Sequence, residues 1–488
     1  PAYRQTVPLV AIDPESVAGT LKITIDGRDR VLEAPTEVVF APPRQDLADG
    51  SPLSVAQAAG ALVFVGDGIV SAALGLDAYR GVDVRGKIAV IATGNGPVED
   101  KAVAVHLRRL DGKREAAFAR GAVGVLYVGT AGRRPKSALP LRVTHPEGSL
   151  TLADGALDPM PVAAVAGSVF ADLMEAAGRD ADAVLKAVRE GNAESFALPA
   201  AAILSTTASA SPIDTFNVVG VLPGTDPQLA SEAVVITAHL DHLGMGVSHR
   251  HAPQKISARE KSVDNIYNGA LDNAAGTAIV LEAASALAAS GPHRRTLIFA
   301  AVTAEEAGLL GSSYLARNIE ALGYNPVANV NVDMPVLTYP LDSVIGFGEA
   351  YSSLDAPLRR AGATVGVEVT PDPVPELSLF VRSDHYRFVE RGIPALFLFN
   401  GMEGSNGDAF RRFMATHYHQ PSDDITLPIR WADAVTLTKL TTELIRDVAN
   451  ADEKPAWNSG SVFAQPLLPS GQASASPPRR AGPSTGTD

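Results

Sequence analysis

Val234-Val235-Ile236-Thr237-Ala238-His239-Leu240-Asp241 is the stretch whose reading decides the fold. Four β-branched residues and an alanine make a run of strand length, and a run so uniformly apolar suits a strand buried on both faces. It delivers an imidazole and a carboxylate at its carboxyl end. The pattern recurs: Leu297 to Val302 runs into Glu305-Glu306, and Asn329-Val330-Asn331-Val332 runs into Asp333. In open α/β sheets ligands bind outside the carboxyl ends of the strands, so these side chains are expected to converge there. A further carboxylate, Asp272, sits in Leu271-Asp272-Asn273-Ala274-Ala275-Gly276, and His419 ends the run Thr416-His417-Tyr418-His419.

Working outward, strands alternate with helices after Ser211-Pro212: the strand 234–238, a helix from Ala274 to Ala289, the strands 297–302, 328–332 and 395–399, and a closing helix from Thr436 to Ala449. This is the signature of an α/β fold with a mixed, mostly parallel sheet carrying helices on both faces. Before it, Tyr3 to Phe40 alternates in strand fashion, as in Leu21-Lys22-Ile23-Thr24-Ile25. From Gly60 buried-strand runs (Ala61 to Val65, Ile88 to Ile91, Val125 to Val128) and a helix over 114–120 suggest a separate, strand-rich module. The expected division is 1–48 as the first part of the catalytic domain, 49–205 as the inserted module, 206–451 as the catalytic domain and 452–488 as a Pro/Ser/Gly/Ala-rich disordered tail.

A chain of 488 residues exceeds one ordinary core, and 46% hydrophobic with 19% charged residues is ample to bury two. A formal charge of −13 without a Lys/Arg run argues against nucleic acid or an anionic membrane as the partner and favours a small or peptide substrate. No apolar run reaches the roughly 18 residues of a membrane span. The absence of cysteine excludes disulfides, thiolate metal sites and a Cys nucleophile, leaving His and carboxylates as strong metal ligands. The chain begins at Pro1, so any signal segment would already have gone, and a periplasmic or secreted location is the expectation.

Taken singly the candidates have ordinary readings. Asp272 before a helix is a good N-cap, Glu305-Glu306 suits a solvated helix start, His239 a satisfied core or loop histidine, and Asp333 a strand-end turn. Four such coincidences at the mouth of one sheet are far less ordinary. Zinc takes imidazole and carboxylate ligands, and a catalytic site keeps a position open for water. One carboxylate can bridge two ions about 3.5 to 4 Å apart, so five side chains hold a pair. Adjacent Glu305 and Glu306 cannot point the same way, so one can bind metal while the other takes a proton. Asp241, two residues beyond His239, is placed to accept the other ring N–H and fix the tautomer. His417 and His419 lie on one side of an extended segment and compete for one ligand position.

These residues resemble the co-catalytic zinc aminopeptidases of peptidase clan MH, the bacterial leucine aminopeptidase and aminopeptidase Y type. The resemblance rests on Asn217 to Gly224, His239-Leu240-Asp241-His242-Leu243-Gly244, Ile266 to Gly276, Glu305-Glu306-Ala307-Gly308-Leu309-Leu310-Gly311-Ser312, Asn331-Val332-Asp333-Met334, Ser383-Asp384-His385 and Tyr418-His419-Gln420-Pro421-Ser422-Asp423, spanning about residues 213–450. It implies a zinc-exopeptidase fold and two Zn2+ ions bridged by Asp272, with Glu306 and His419 completing one site and His239 and Asp333 the other. It further implies Glu305 as general base, a cis peptide at Asp272-Asn273, and Tyr418 as a donor to the oxyanion. It is the resemblance that selects His419 over His417. His242, His249, His251, His385, Asp264 and Asp423 receive no role.

Residues 49–205 resemble the protease-associated (PA) domain inserted in many such enzymes, through Gly66-Asp67-Gly68-Ile69-Val70, Tyr79 to Val90 and Arg120 to Val125. No catalytic constellation lies there, which implies a lid or access role. The family has a helical segment ahead of the strand that Tyr3 to Leu9 resembles, and this chain starts at that strand, so a truncated N-terminus is expected. The same five ligands would also serve a carboxypeptidase or dipeptidase. A non-catalytic receptor-like homologue would have no need of Glu305.

Overall fold

In the computed structural model, which describes residues 3–43, 53–94, 98–129, 150–153, 160–245 and 264–467, four parallel strands lie side by side in the order Thr296–Val302, Glu232–His239, Asn325–Val332, Ala395–Asn400. Their side chains alternate between two covered faces. Val234, Ile236 and Ala238 face one core with Ile279, Val280, Ala283 and Leu287 of the helix Ala275–Ala289 and Leu437, Leu440 and Leu444 of the helix Trp431–Asn450. Ala233 and Val235 face another, with Leu315, Ala316 and Phe388. That period of two on a sheet wrapped on both sides is why the strands read as unbroken apolar runs. The sheet is mixed, as expected: Ser343–Phe347 joins Ala395–Asn400 antiparallel, and on the other edge the end of Phe196–Leu222 runs antiparallel to Thr296–Val302 and to Arg4–Ile12.

The strand Phe196–Leu222 is 27 residues long and belongs to two sheets. Its second half enters the sheet just described, while residues 196–209 pair with Leu53–Phe64, which continues in parallel to Ile88–Thr93, Gly124–Gly129 and Val162–Val165. This second unit has helices as well as strands, with Val169, Phe170, Leu173 and Met174 of the helix Gly167–Ala176 packed on one face and Ala117 of the helix Leu110–Ala119 on the other. Two corrections to the expected boundaries follow. Ala18–Ile25 pairs with residues 200–207 and Val38–Phe40 with Val162–Val165, so residues 18–40 belong with the second unit, and only Arg4–Ile12 of the first 48 lies in the main sheet. Nor does order end at 452. Phe463 is fully buried, Trp457 Nε1 donates to Gly392 O at 2.7 Å, and Leu467 N donates to Glu390 O. The rest of the expected tail, 468–488, lies outside the described residues.

Lys113, on the helix Leu110–Ala119, is 2% exposed beside a cavity of about 490 Å3 between the second unit and residues 462–467, and among the described residues its Nζ reaches Gly94 O, at 3.4 Å. Burial pulls its pKa from 10.5 down to about 8, against the Asp67 carboxylate and with help from Arg108. Between those values the unfolded chain binds the proton that the folded chain has released, so stability rises with pH through this window, and the cost of burying the charge is fully present below about 8. Lys113→Met should therefore stabilise the protein by up to about 3 kcal/mol at pH 7, with the gain shrinking toward pH 10.5. Denaturant melts of both proteins across pH 7–10.5 check this; parallel pH profiles would refute it.

Candidate metal centre

The strand ends bring the expected residues together. Asp272 lies within the turn Ala270–Ala274 that leads into the helix Ala275–Ala289, where residues 272 and 273 leave helical geometry and their peptide is cis. It is therefore not the cap of that helix. Its carboxylate faces two ways: Oδ1 is 3.1 Å from His239 Nε2, and Oδ2 is 3.3 Å from His419 Nε2. His239 Nε2 is also 3.0 Å from Asp333 Oδ1, and His419 Nε2 is 3.2 Å from Glu306 Oε2. His417 turns away, with Nδ1 2.9 Å from Ser422 Oγ. Glu305 stands beside these groups at the wall of a cavity of about 460 Å3, which Met334, Leu379, Phe399, Phe410, Met414 and Tyr418 also line.

Hydrogen bonds to distant parts of the chain hold this cluster. Asp423 Oδ1 accepts from Leu271 N and Asp423 Oδ2 from Asp272 N, both at 3.0 Å, tying the break to the loop that bears His419. Asn273 Oδ1 accepts from Gly276 N and Met334 N while its Nδ2 donates to Val332 O. A Cβ on Gly276 would stand 2.0 Å from that Oδ1, so only glycine fits there. Ser383 Oγ donates to Asp333 Oδ2 at 2.5 Å and accepts from Asn331 Nδ2. Asn217 Oδ1 accepts from Thr303 N and its Nδ2 donates to Gly311 O, closing the loop that presents Glu305 and Glu306. Ala304, Met334 and His419 all hold positive φ (55°, 47° and 56°), a sparsely populated region for residues with a side chain and one that recurs at functional sites.

Asp241 departs from expectation. His239 Nδ1 donates to its main-chain carbonyl at 2.8 Å, not to its carboxylate. The carboxylate instead accepts from Thr303 Oγ1 and Ala304 N, pinning the loop before Glu305. Residue spacing brought Asp241 next to the ring but left open which of its oxygens would turn inward. His242, which received no role, also stands at the cluster. Its Nδ1 lies 2.8 Å from Glu306 Oε1, and the signal was its place three residues after His239 in a loop leaving the sheet. Ser383 and Asp423 stood in the quoted motifs without a role.

The electrostatics suit cations. Burial alone would raise Asp272, yet His239 and His419 hold its carboxyl well below the usual range. Burial opposes protonation of His239, but Asp333 and Asp272 carry it well above an ordinary histidine. Glu305 is pushed far up by burial and by the carboxylates of Asp333, Glu306 and Asp384, against the opposing pull of His239. Asp384, fully buried, is raised to about 7, chiefly by burial. Glu306 Oε1 is buried without a hydrogen-bond partner. Carboxylates and imidazoles gathered this closely, with an unsatisfied carboxylate oxygen among them, fit the donor set zinc prefers.

A parallel sheet wrapped by helices, with carboxylates and imidazoles meeting at its carboxyl edge, is the kind of site that holds a metal ion. Residues 217–445, which contain every residue of that cluster, match the model of peptidase family M28. A leupeptin-inactivating enzyme of Streptomyces exfoliatus is 28% identical over 233 residues, 43% of each chain. A "Probable zinc metalloprotease" of Pyrenophora teres f. teres is 44% identical over 66 residues, 14% of each chain. The chain spans less than half the length of these curated relatives. Among solved structures, an aminopeptidase from Aneurinibacillus sp. strain AM-1 overlaps 93% of this chain and 86% of its own at 17% identity and a TM-score of 0.39.

Asp423→Ala removes the acceptor for two buried amides beside Asp272. It should lower zinc affinity about 10- to 100-fold, the usual effect of losing an outer partner, and destabilise by about 1–3 kcal/mol. His417→Ala should leave zinc affinity unchanged. Zinc titration of the two variants checks both, and the reverse ranking would transfer the ligand to His417.

Proposed function

We propose that the protein is a binuclear zinc aminopeptidase, releasing N-terminal residues from peptides. The observation that carries this reading is the division of Asp272, whose two oxygens turn to His239 and His419 on opposite sides. Asp272 then bridges, with His239 and Asp333 completing one site and Glu306 and His419 the other. Zinc bound there supplies a Lewis acid for the scissile carbonyl and lowers the pKa of the attacking water. Glu305, beside both sites and binding neither, takes the proton from that water and returns it to the leaving amine. Its raised affinity for a proton suits that return. Tyr418, stacked on His419 with ring centroids 3.8 Å apart and lining the cavity, is the candidate donor to the oxyanion.

The carboxylate-rich end of the cavity favours a free ammonium, and its apolar wall of Phe399, Phe410 and Met414 favours an uncharged side chain next to it. One observation supports a second reading, a carboxypeptidase or dipeptidase: Arg382 and Arg411 line the same cavity and could receive a terminal carboxylate. The second unit we assign as a protease-associated module controlling access. Val103 and Leu107 of its helix Lys101–Arg108 pack with Phe380 and Val381, next to the cavity residues Leu377 and Leu379. Among the described residues no helix is long and apolar enough to cross a membrane. A periplasmic or secreted location completes the proposal and rests on the sequence resemblance.

Glu305→Gln keeps the shape of the side chain and loses the base. Zinc content should survive while kcat falls by about two to four orders of magnitude on an aminoacyl anilide. Acetylating the N-terminus of a short peptide should abolish its cleavage, and amidating the C-terminus should not. Full activity of Glu305→Gln would overturn the mechanism, and loss on amidation would establish the carboxypeptidase reading.

A further inference from the structure

His242 is the buried imidazole in this cluster that the five-ligand scheme leaves without work. Its side chain is 6% exposed and its Nδ1 stands 2.8 Å from Glu306 Oε1. Yet Nδ1, Nε2 and Glu306 Oε1 all lack a hydrogen-bond partner among the described residues. A hydrogen bond requires direction as well as distance, and this contact has only the distance. Two polar atoms held close without pointing at each other are arranged as two ligands are when both aim at a third body. The donor atoms of His242, Asp272 and Glu306 lie within 4.8 Å of one another, and His419 Nε2 stands 3.2 Å from Glu306 and 3.3 Å from Asp272. The rings of His242 and His419 approach from different directions, with centroids 5.5 Å apart and planes at 70°.

We propose that His242 is a zinc ligand through Nδ1, so that the second site has four protein ligands: His242, Asp272, Glu306 and His419. The first site keeps three, His239, Asp272 and Asp333. This inference rests on the two-ion reading and divides the labour within it. Zinc sites with four protein ligands are typically structural and closed, whereas catalytic sites hold three and leave a position for water or substrate. The second site then anchors the bridge and fills first. The first site, next to Glu305, is the one open to the reacting groups.

The test is a zinc titration of the metal-free full chain, wild type and His242→Ala, against a competing chromophoric chelator, joined to X-ray absorption on wild-type protein carrying one zinc equivalent. Wild type should take two ions. His242→Ala should weaken one binding step more than about 100-fold, beyond the roughly 10- to 100-fold effect of losing an outer partner, and leave the other step in place. The one-equivalent sample should show two imidazoles per zinc. An unchanged titration or a loss within the outer-partner range would overturn the ligand assignment while two-ion binding stands, and a single imidazole would overturn the claim that a two-histidine site fills first. Wild type saturating at one ion would instead overturn the two-ion reading, and the imidazole count would still decide the role of His242. Because that count is taken on wild type, a poorly folding variant leaves the proposal testable.

Discussion

A carboxylate that turns one oxygen to each of two imidazoles has to be buried between them and held from behind, and Asp272 meets both conditions. Its oxygens are committed to His239 and His419, while its own amide is bound by Asp423. These four residues come from a strand end, a helix break and a loop, and the loop lies more than 140 positions beyond the break. The parallel sheet makes such a meeting possible, because each strand delivers its last residue to the same edge. The helix Ala275–Ala289 cannot begin until the chain has passed Asp272, and the space needed at Gly276 and the bonds of Asn273 fix where it begins. Crowding several carboxylates here would be unfavourable without cations. The site is thus built for ions whose charge offsets that repulsion.

Much of this was legible in sequence because it follows from periodicity. The runs 234–238, 297–302, 328–332 and 395–399 appear as strands within a few residues, and the groups that follow the first three lie together at one edge of the sheet. The choice of His419 over His417 was not a matter of period, since both lie on one segment. The structure sets His419 Nε2 against Asp272 and Glu306 and turns His417 to Ser422.

What escaped the sequence has physical reasons. The junction near residue 211 reads as a boundary because Pro212 interrupts the pattern, yet a strand can carry proline where its partner needs no amide, and Phe196–Leu222 runs through it into both sheets. Residues 18–40 were misplaced for the same reason: alternation identifies a strand but not its partner. The segment 452–467 has a composition typical of disorder, but two aromatic anchors, Trp457 and Phe463, outweigh that composition. Ser383 and Asp423 act by hydrogen bonding to groups 50 and about 150 residues away, and no local pattern encodes such a partner.

The central claim is that Asp272 binds two zinc ions at once. Diffraction from zinc-loaded crystals at energies on either side of the zinc absorption edge tests it most directly. The account predicts two anomalous peaks about 3.5–4 Å apart, one on each side of the Asp272 carboxylate. A single peak, or a second one away from Asp272, would contradict it.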